Sequence, residues 1–580
     1  CTVGGDGATL SYKQSLGKTD VKIGSTVAAG TPMSGGLVGG SGDSLSATAQ
    51  YARITSRIIT AMGNTVGYIP LADGELRAVG WVDGVAIQST TGNTTISNTG
   101  LVVGSINTGS GSSTFTNESG SWLVAGKSID LGGQSGSLFT NKGNLILGGI
   151  NETQITQLTG NFEQADTGNY LVNIDYAKQG VAGIQVVHTL SAAFGKADML
   201  HVSGWASMAG RLPVNMLNPG YAASGHSSYV IVHADGGVKN NGITLFAPNT
   251  SVATFQLIYT PTQAVLSTDI NYAAGALTEN GNAVGNTINS IQYDQTSPAF
   301  RPLAAKILAQ PDTASLQRTY DLIDGEGAAG AQQAYFSEAN AFIGTVSQQM
   351  NMWNTPYQRT DASTQRDQNC ALKSSGCTHR KWRAWYSGFG SYTNLHGDPY
   401  VVGSADMTSK SKGMSAGADY RLSDQALVGF AMGMGHADFQ VSERLTSGSI
   451  QAWHTALYGA YKKKHFYING LLGMDWLNVR TERVASIGAT ALTAGVSDKL
   501  RDDSSGHAFN MHMESGYRVN LNGVHFAPFA ALQLSSFHMK SSTERAEATD
   551  GSLALYYKNR TVRSIPLSLG AQFDTCIDLG

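Results

Sequence analysis

The feature that most constrains this fold is an alternation of apolar and polar residues in long segments beyond residue 380. In "HAFNMHMESGYRV", residues 507–519, the odd positions are largely apolar and the even positions carry an amide, an imidazole, an acid and a base. Side chains alternate between the two faces of a β-strand, so this segment predicts a strand with one apolar and one polar face.

The same alternation recurs in "SKGMSAGADYRL", "ALVGFAMGMGHADF", "HFYINGLLGMDWLNV" and "RSIPLSLGAQF". These segments have roughly ten or more residues, enough for a tilted strand to cross a bilayer, whereas strands of globular sheets have about 5–6. They therefore predict a transmembrane antiparallel β-barrel. A large soluble β-sandwich is the alternative that the pattern alone leaves open.

The barrel interpretation assigns the two faces of these strands to different surroundings. The predicted lumen-facing residues are Asp419, Arg421, Asp475, Asn510, His512, Glu514, Arg518 and Gln572. The predicted lipid-facing residues are Phe430, Met432, Trp476, Phe509, Met511, Met513 and Leu567. Leu471 breaks the alternation in its strand, and the Gly and Ala residues of the inner face at 429–435 leave room for an inserted segment.

Composition restricts the remaining possibilities. Only 14% of residues are charged, against about 25% in ordinary soluble domains. Glycine accounts for 70 of the 580 residues, and the formal net charge of -3 gives no reason to expect a nucleic-acid partner. No stretch approaches the ~18–20 consecutive apolar residues of a membrane-spanning helix.

Three imperfect copies of one unit occupy roughly residues 90–150: "ISNTGLVVGSIN", "FTNESGSWLVAGKSI" and "FTNKGNLILGGIN". Their aligned asparagines are Asn98, Asn117 and Asn141, at steps of 19 and 24 residues. This spacing suits the coils of a parallel β-helix, in which each coil buries a short apolar run against its neighbours. Irregular β-structure is the alternative.

Changes in composition predict four parts of the chain. They are a poorly defined N-terminal part at 1–90, a β-solenoid with its closing junction at 91–275, a helical linker with a flexible connection at 276–380, and the barrel at 381–580. In the linker, apolar residues recur every three or four positions from Tyr335 to Trp353, which predicts an amphipathic helix. We expect this helix, or the chain after it, to occupy the lumen; packing outside the pore is the alternative.

The barrel segments resemble a known family when they are read in order. "RAWYSGFGSY", "KGMSAGADYRLSDQALVGFAMGMG", "LYGAYKKKHFYINGLLG", "MESGYRV" and "FAPFAALQ" resemble the β-domain of the classical autotransporters of Gram-negative bacteria, which use type V secretion. Upstream, "ADMLHVSGWASMAGRLPV", "YVIVHADGGV" and "QAVLSTDINY" resemble the autochaperone-like junction that ends many of the family's passengers, the segments carried to the cell surface. The resemblance spans about 185–575.

The resemblance implies an all-β chain with a short helical linker: a right-handed parallel β-helix-like passenger followed by an outer-membrane barrel. The protein would be exported through the periplasm, with outer-membrane lipid and the barrel-assembly machinery as partners. The family's barrel has twelve strands and ends in an aromatic residue. About eight strands are recognisable here, so we expect a barrel truncated at its C-terminal end, with Cys576 in an unfinished turn.

The sharpest catalytic candidate is the "GDSL" sequence at 42–45, a signature of esterases that occur as autotransporter passengers. In such an enzyme Ser44 would be the nucleophile, His201 its base, Asp198 the orienting acid and Asn151 an oxyanion donor. No apolar strand precedes Ser44 to position it, however.

The solenoid pattern therefore favours a non-catalytic adhesin or aggregation factor that binds host or sister-cell surfaces, and the surface esterase remains the alternative.

The cysteines suggest one structural feature. Cys370 and Cys377 in "CALKSSGC" predict a disulfide in an exported protein. The alternative is a metal site with His379, although a six-residue gap is not a common zinc spacing. We expect no metal and no cofactor, and the chemical states of Cys1 and Cys576 remain open.

Overall fold

Parallel strand pairing dominates the N-terminal part of the chain, and antiparallel pairing forms the C-terminal part. The structure is a computed structural model. It describes residues 2–3, 8–12, 37–38, 85–89, 93–98, 101–177, 196–295, 297–354, 381–521 and 524–575. One compact unit comprises Cys1–Leu277, Gly281–Thr319 and Gly488–Gly495, and the other comprises Thr278–Asn280, Tyr320–Ile487 and Val496–Gly580.

The first unit is built from short strands. They are β1 (Thr2–Val3), β2 (Ala8–Tyr12), β3 (Leu37–Val38), β4 (Val85–Ser89), β5 (Thr94–Asn98), β6 (Leu101–Asn107), β7 (Thr114–Asn117), β8 (Trp122–Asp130), β9 (Leu138–Asn141), β10 (Asn144–Leu147), β11 (Ile155–Thr159), β12 (Asn161–Gln164), β13 (Asn169–Asp175), β14 (Met199–Val202), β15 (Ala206–Met208), β16 (Arg211–Leu217), β17 (Gly225–Ala234), β18 (Val238–Asn240), β19 (Thr244–Phe246), β20 (Ala253–Tyr259) and β21 (Gln263–Ile270).

These strands form a β-solenoid with two main sheets. One sheet has the order β18-β15-β12-β9-β7-β5-β2, and the intervening strands belong to a second sheet with the path β19-β16-β13-β10-β8-β11-β14-β17-β21-β20. Strands of successive coils pair in parallel, and the β20–β21 hairpin adds antiparallel strands beside β17. The chain therefore coils between the two sheets, and each coil rests on the previous one.

A column of amide side chains runs through the solenoid interior. Asn98 donates from Nδ2 to Asn117 Oδ1 at 2.8 Å, Asn117 donates to Asn141 Oδ1 at 2.7 Å, and Asn141 donates to Gln164 Oε1 at 2.7 Å. All four side chains are buried, and the strand register places each opposite the next. The predicted stacking of the three asparagines is confirmed, and the alternative of irregular β-structure is wrong for these coils.

Aromatic residues form a second column inside the same sheet. Phe115 and Phe139 have ring centroids 5.3 Å apart, and Phe139 and Phe162 have centroids 5.2 Å apart. The three rings are fully buried, so each coil adds apolar area to one continuous core. The repeat thus supplies one polar and one aromatic column, and both fix the register of the coils.

Four α-helices follow the solenoid within the described residues. They are α1 (Glu279–Asp294), α2 (Arg301–Leu308), α3 (Thr313–Ile323) and α4 (Gly330–Asn354). None of the described helices is long and apolar enough to cross a membrane. Helix α4 contains the predicted amphipathic stretch and belongs to the C-terminal unit.

The C-terminal unit consists mainly of long antiparallel strands. They are β22 (Trp382–Leu395), β23 (Met407–Arg421), β24 (Ala426–Val441), β25 (Thr446–Lys463), β26 (Phe466–Ile487), β27 (Val496–Tyr517), β28 (Val519–Leu521), β29 (Val524–Met539), β30 (Ser542–Thr543), β31 (Arg545–Ala546), β32 (Tyr556–Tyr557), β33 (Arg560–Ser564) and β34 (Leu567–Thr575).

Neighbours along the chain pair with one another in this sheet. The order is β22-β23-β24-β25-β26-β27-β29-β28, and β31, β33 and β34 pair beside it. This meander confirms the predicted antiparallel class. Its strands reach 22 residues, far beyond the usual length of about 5–6 in globular sheets.

Replacing Asn117 by Ala should loosen the solenoid locally. The change removes one of the two acceptors of the Asn98 amide and the donor to Asn141, a loss of buried hydrogen bonds that costs about 2 kcal/mol. Amide exchange in residues 94–147 should then become roughly 30-fold faster in the full chain, measured by hydrogen–deuterium exchange.

The exposed Asn151 provides the matched control, since its replacement by Ala should change stability by less than about 0.5 kcal/mol. Equal exchange in both variants would show that the amide column does not hold the coils together.

Candidate functional site

Helix α4 lies against the inner face of the antiparallel sheet. Ser337 contacts Ser391 of β22 at 2.9 Å, and Asn340 accepts a hydrogen bond from Gln533 of β29 at 2.7 Å. These strands are six steps apart in the sheet, about 29 Å if the sheet were flat, whereas a helix is about 10–12 Å wide. The sheet therefore curves around the helix, and the predicted position of the helix inside the lumen is confirmed.

A buried ionisable cluster joins the helix to two strands. Nε2 of His454 lies 2.8 Å from Oε1 of Glu338 on the helix, and its Nδ1 lies 2.9 Å from Oδ1 of Asp475. All three side chains are almost completely buried. Nε2 is within hydrogen-bonding reach of Glu338 and Nδ1 is within ion-pair distance of Asp475, so His454 bridges the helix to β26.

Neutral donors complete this cluster. The hydroxyl of Tyr335 donates to Oδ2 of Asp475 at 2.8 Å, and Nδ2 of Asn510 donates to the same oxygen at 2.7 Å. Asn510 also donates to the Tyr335 oxygen at 3.0 Å, and the ring of Phe342 stacks on His454 at 4.6 Å. Asp475 thus receives donors from the helix and from strand β27, which compensates the loss of water around its charge.

A second polar group anchors the helix nearer its C-terminal end. Arg383 makes a bidentate pair with Asp419, with its shortest contact at 2.7 Å, and also donates to the backbone oxygen of Gln349 at 3.3 Å. Tyr458 donates to Asp419 at 3.2 Å and accepts from the indole of Trp385 at 2.7 Å. Three strands and the helix therefore share one hydrogen-bonded network.

The last turn of the helix has further polar partners. Nδ2 of Asn354 donates to Asn469 at 2.8 Å, and Asn469 donates in turn to Asn351 at 2.7 Å. Nζ of Lys462 donates to the backbone oxygen of Trp353 at 2.8 Å and lies 4.3 Å above its ring centre. A carbonyl near the helix C-terminus thus meets a cation, which is the favourable end for positive charge.

Apolar packing explains the residue that breaks the strand alternation. Leu471 is buried on the inner face, in a cluster with Phe342, Ile343 and Val346 of the helix. An apolar side chain is favoured at this inner position because it meets the helix and not water. The exception in the sequence pattern therefore marks the contact surface of the helix.

Glycines on β24 provide the space that the helix occupies. A Cβ atom placed on Gly433 would approach the ring of Phe342 to 2.8 Å, and one placed on Gly435 would collide with the carboxylate of Glu338. The predicted role of these small inner residues is confirmed at both positions. Any larger side chain there requires the helix to move.

The predicted inner and outer residues differ in exposure. The buried members of the inner set are Asp419, Asp475, Asn510, Glu514 and Arg518, and the half-buried members are Arg421, His512 and Gln572. The exposed members of the outer set are Phe430, Met432, Trp476, Phe509, Met513 and Leu567, and Met511 is half-buried. Contact of the outer set with lipid stays a prediction.

Asp198 and His201, the acid and base of the esterase alternative, have separate hydrogen-bond partners. Asp198 is fully buried and accepts hydrogen bonds from the backbone of Gln154 and Asn173, and burial raises its pKa well above its usual range. His201 directs its two nitrogens to Gln157 and Asp235 and not to Asp198. Asp198 and His201 therefore do not pair with each other in the solenoid.

The structure does not test the predictions made for several other positions. Ser44, Cys1, Cys576 and the Cys370–Cys377 pair all lie outside the described residues. Asn151 is exposed in a turn of the solenoid. The nucleophile and the disulfide thus stay predictions.

Sequence reasoning did not find the cluster around His454. Glu338 lies on a helix whose pattern is dominated by its apolar stripe, and the strand position of His454 indicated only a polar residue. The available signal was an acid amid the apolar residues of a helix expected in a lumen, since a buried acid requires a partner.

A family model covers most of the antiparallel unit. Residues 384–580 match the family model described as the autotransporter beta-domain. Among solved structures, the chain is similar to the translocator domain of the autotransporter NalP from Neisseria meningitidis, with 11% identity and a TM-score of 0.29 over 38% of this chain and 72% of that one. No curated protein matches the chain.

A cysteine pair can test the position of helix α4. The hydroxyl oxygens of Thr345 and Ser415 are 3.0 Å apart, so Thr345→Cys with Ser415→Cys should cross-link in a background without native cysteines. The control pairs Thr345→Cys with Met414→Cys, because Met414 is exposed on the opposite face of the same strand. Cross-linking of the control pair alone, read by gel mobility, would place the helix outside.

Replacing His454 by Leu should weaken retention of the helix. The change leaves Glu338 and Asp475 buried without their shared cation, at a cost of roughly 3–5 kcal/mol. On a detergent gel, the band should shift from the folded to the unfolded position after heating to a lower temperature than for the native protein. His436→Leu is the matched control, since His436 is outward-facing and only half-buried; an equal fall in both variants contradicts the role of the cluster.

Proposed function

We propose that this chain is a self-secreting autotransporter of the classical type, with an outer-membrane β-domain and a surface-exposed passenger, and that helix α4 is the anchor between these two parts. The observation that carries the proposal is the buried Glu338–His454–Asp475 cluster, which joins the helix to the inner face of the β-domain. Chain preceding the helix leads to the solenoid, and chain following it leads to β22.

The size of the polar contact supports a retained helix. Hydrogen bonds or ion pairs connect the helix to strands from β22 to β29, and the inner-face glycines admit its larger side chains. Withdrawing the helix would break many buried pairs at once, and each orphaned group costs about 1–3 kcal/mol. After secretion the passenger is therefore held at the cell surface for as long as the chain is uncut.

For the passenger we propose a non-catalytic adhesive role. Outward-facing residues of the seven-stranded sheet form a polar column in strand register, and its members are Ser97, Thr116, Thr140, Glu163 and Ser207. Adjacent rungs are about 4.8 Å apart, so the column presents hydroxyl and carboxyl groups at a regular spacing. Regular weak contacts of this kind gain strength when two surfaces meet over many rungs.

The surface esterase has less support. Asp198 and His201, its proposed acid and base, have other partners in the solenoid. Short-chain ester hydrolysis by cells that display the chain, lost on Ser44→Ala, would nevertheless overturn the adhesive proposal. We expect Ser44→Ala to change neither surface display nor adhesion.

Two lysines in the polar column should reduce adhesion. Thr116→Lys with Thr140→Lys places like charges on adjacent rungs and repels an identical column on a second cell. We expect cell aggregation, followed by settling of the culture, to fall by half or more. Asn151→Lys with Thr167→Lys adds the same charge at exposed turns and should leave aggregation unchanged; equal settling of the two variants would contradict the proposed face.

A further inference from the structure

Two histidines and one aspartate converge on the surface of the solenoid. His201 of β14 and His233 of β17 are register partners on adjacent parallel strands, and their ring centres are 5.1 Å apart. Oδ1 of Asp235 lies 3.3 Å from Nε2 of each histidine. Both imidazoles therefore point at one carboxylate oxygen from the same side.

Solvent can reach the group formed by His201, His233 and Asp235, although the two histidine side chains are largely covered by the protein. The side chain of His201 is 16% exposed and that of His233 is 22% exposed, whereas Asp235 is 55% exposed. The imidazoles are thus held by the sheet, and the carboxylate is free to adjust. A rigid pair of nitrogen ligands with one adjustable oxygen ligand suits a small cation that arrives from solution.

The partner of His201 determines which of its nitrogens carries hydrogen. Nδ1 lies 2.6 Å from Oε1 of Gln157, and with the amide in this orientation Nδ1 carries the hydrogen. In the neutral ring the lone pair is then on Nε2, which faces Oδ1 of Asp235. Two acceptors facing each other are satisfied by a positive centre between them. An amide oxygen that accepts from the other ring nitrogen of a metal-binding imidazole fixes its tautomer and orientation.

His233 has a comparable neighbour. The amide nitrogen of Gln263 lies 3.4 Å from its Nδ1, and the same amide turned over offers its oxygen to an Nδ1–H. Each imidazole can therefore present Nε2 as a ligand while an amide supports its other nitrogen. The two amides come from strands β11 and β21, which flank the histidine strands in the sheet.

We propose that His201, His233 and Asp235 bind one first-row divalent transition cation of the Zn²⁺ class. The candidate ligand atoms all lie within 4.8 Å of one another, and the two nitrogen–oxygen distances of 3.3 Å match the edge of a tetrahedron with metal–ligand bonds of about 2.0–2.1 Å. Imidazole nitrogens favour Zn²⁺, Ni²⁺ and Cu²⁺ over Ca²⁺ and Mg²⁺, which prefer oxygen ligands. Water or a group from a binding partner completes the coordination.

The bound cation cross-links neighbouring coils near the C-terminal end of the solenoid. It joins β14 to β17 through their side chains and adds a positive charge at the surface of the solenoid. The expectation of no metal site is thereby replaced by a specific proposal. The sequence could not indicate this site because His201 and His233 are 32 positions apart and meet only when their strands pair.

Metal binding to the full chain tests the proposal. The untagged protein, folded in detergent with its four cysteines replaced by Ser, is stripped with a chelator and titrated with Zn²⁺ and with Co²⁺. We expect one Zn²⁺ per chain by elemental analysis and visible absorption bands from bound Co²⁺. Excess Ca²⁺ or Mg²⁺ should not displace either cation.

Variants separate this site from non-specific binding. His233→Gln should lower Zn²⁺ affinity by roughly 100-fold or more, and Gln157→Leu by about 10–100-fold through loss of the supporting amide. His226→Gln is the matched control on the same strand, since in the described part of the chain Nε2 of His226 has the hydroxyls of Ser228 and Ser267 as its hydrogen-bonding partners. Retention of heat-modifiable migration shows that each variant is folded.

Two results overturn the proposal. One is the absence of saturable Zn²⁺ binding in the native chain, in which case a proton alone bridges His201 and Asp235. The other is equal Zn²⁺ binding by the native chain and His233→Gln, which would assign the metal to other groups. Loss of Zn²⁺ binding in both His233→Gln and His226→Gln would likewise show that the proposed ligands are not specifically responsible for binding.

Discussion

The C-terminal unit depends on a helix with polar side chains that is enclosed by a sheet. Buried polar groups cost free energy unless they are paired, so every inward-facing charge must find a partner on the helix or on a neighbouring strand. The pairing of Glu338 and Asp475 through His454 is the clearest case. It explains why the inner face combines acids, amides and glycines while the outer face is apolar.

The solenoid solves a related problem with repetition. Its amide column buries Asn98, Asn117 and Asn141, and each side chain satisfies the next at an equivalent position. A coil out of register would leave two amides unpaired in an apolar interior. The main effect of the column is therefore to disfavour wrong registers, and its net contribution to the stability of the correct register is smaller. Both units therefore use buried hydrogen bonds to specify an arrangement that hydrophobic burial alone would leave degenerate.

The two units suit the two different tasks that we propose for them. The β-domain holds one inserted helix through contacts that reach from β22 to β29, which favours permanent retention. The solenoid presents long surfaces on which side chains recur coil after coil, so a ladder of hydroxyls or a pair of imidazoles arises wherever successive coils carry similar residues. Surface functions can change on such a scaffold without disturbing its interior columns.

The sequence by itself determined the strand class, the two faces of the long strands, the stacking of the asparagine repeat and the presence of the linker helix, because each follows from a local period or spacing. Leu471 even marked the contact with the helix by breaking that period. Tertiary structure alone decided that Glu338 meets His454, 116 residues away, and that Asp198 and His201 do not meet. Such contacts depend on how strands pair and how a sheet curves, and no local pattern carries that information.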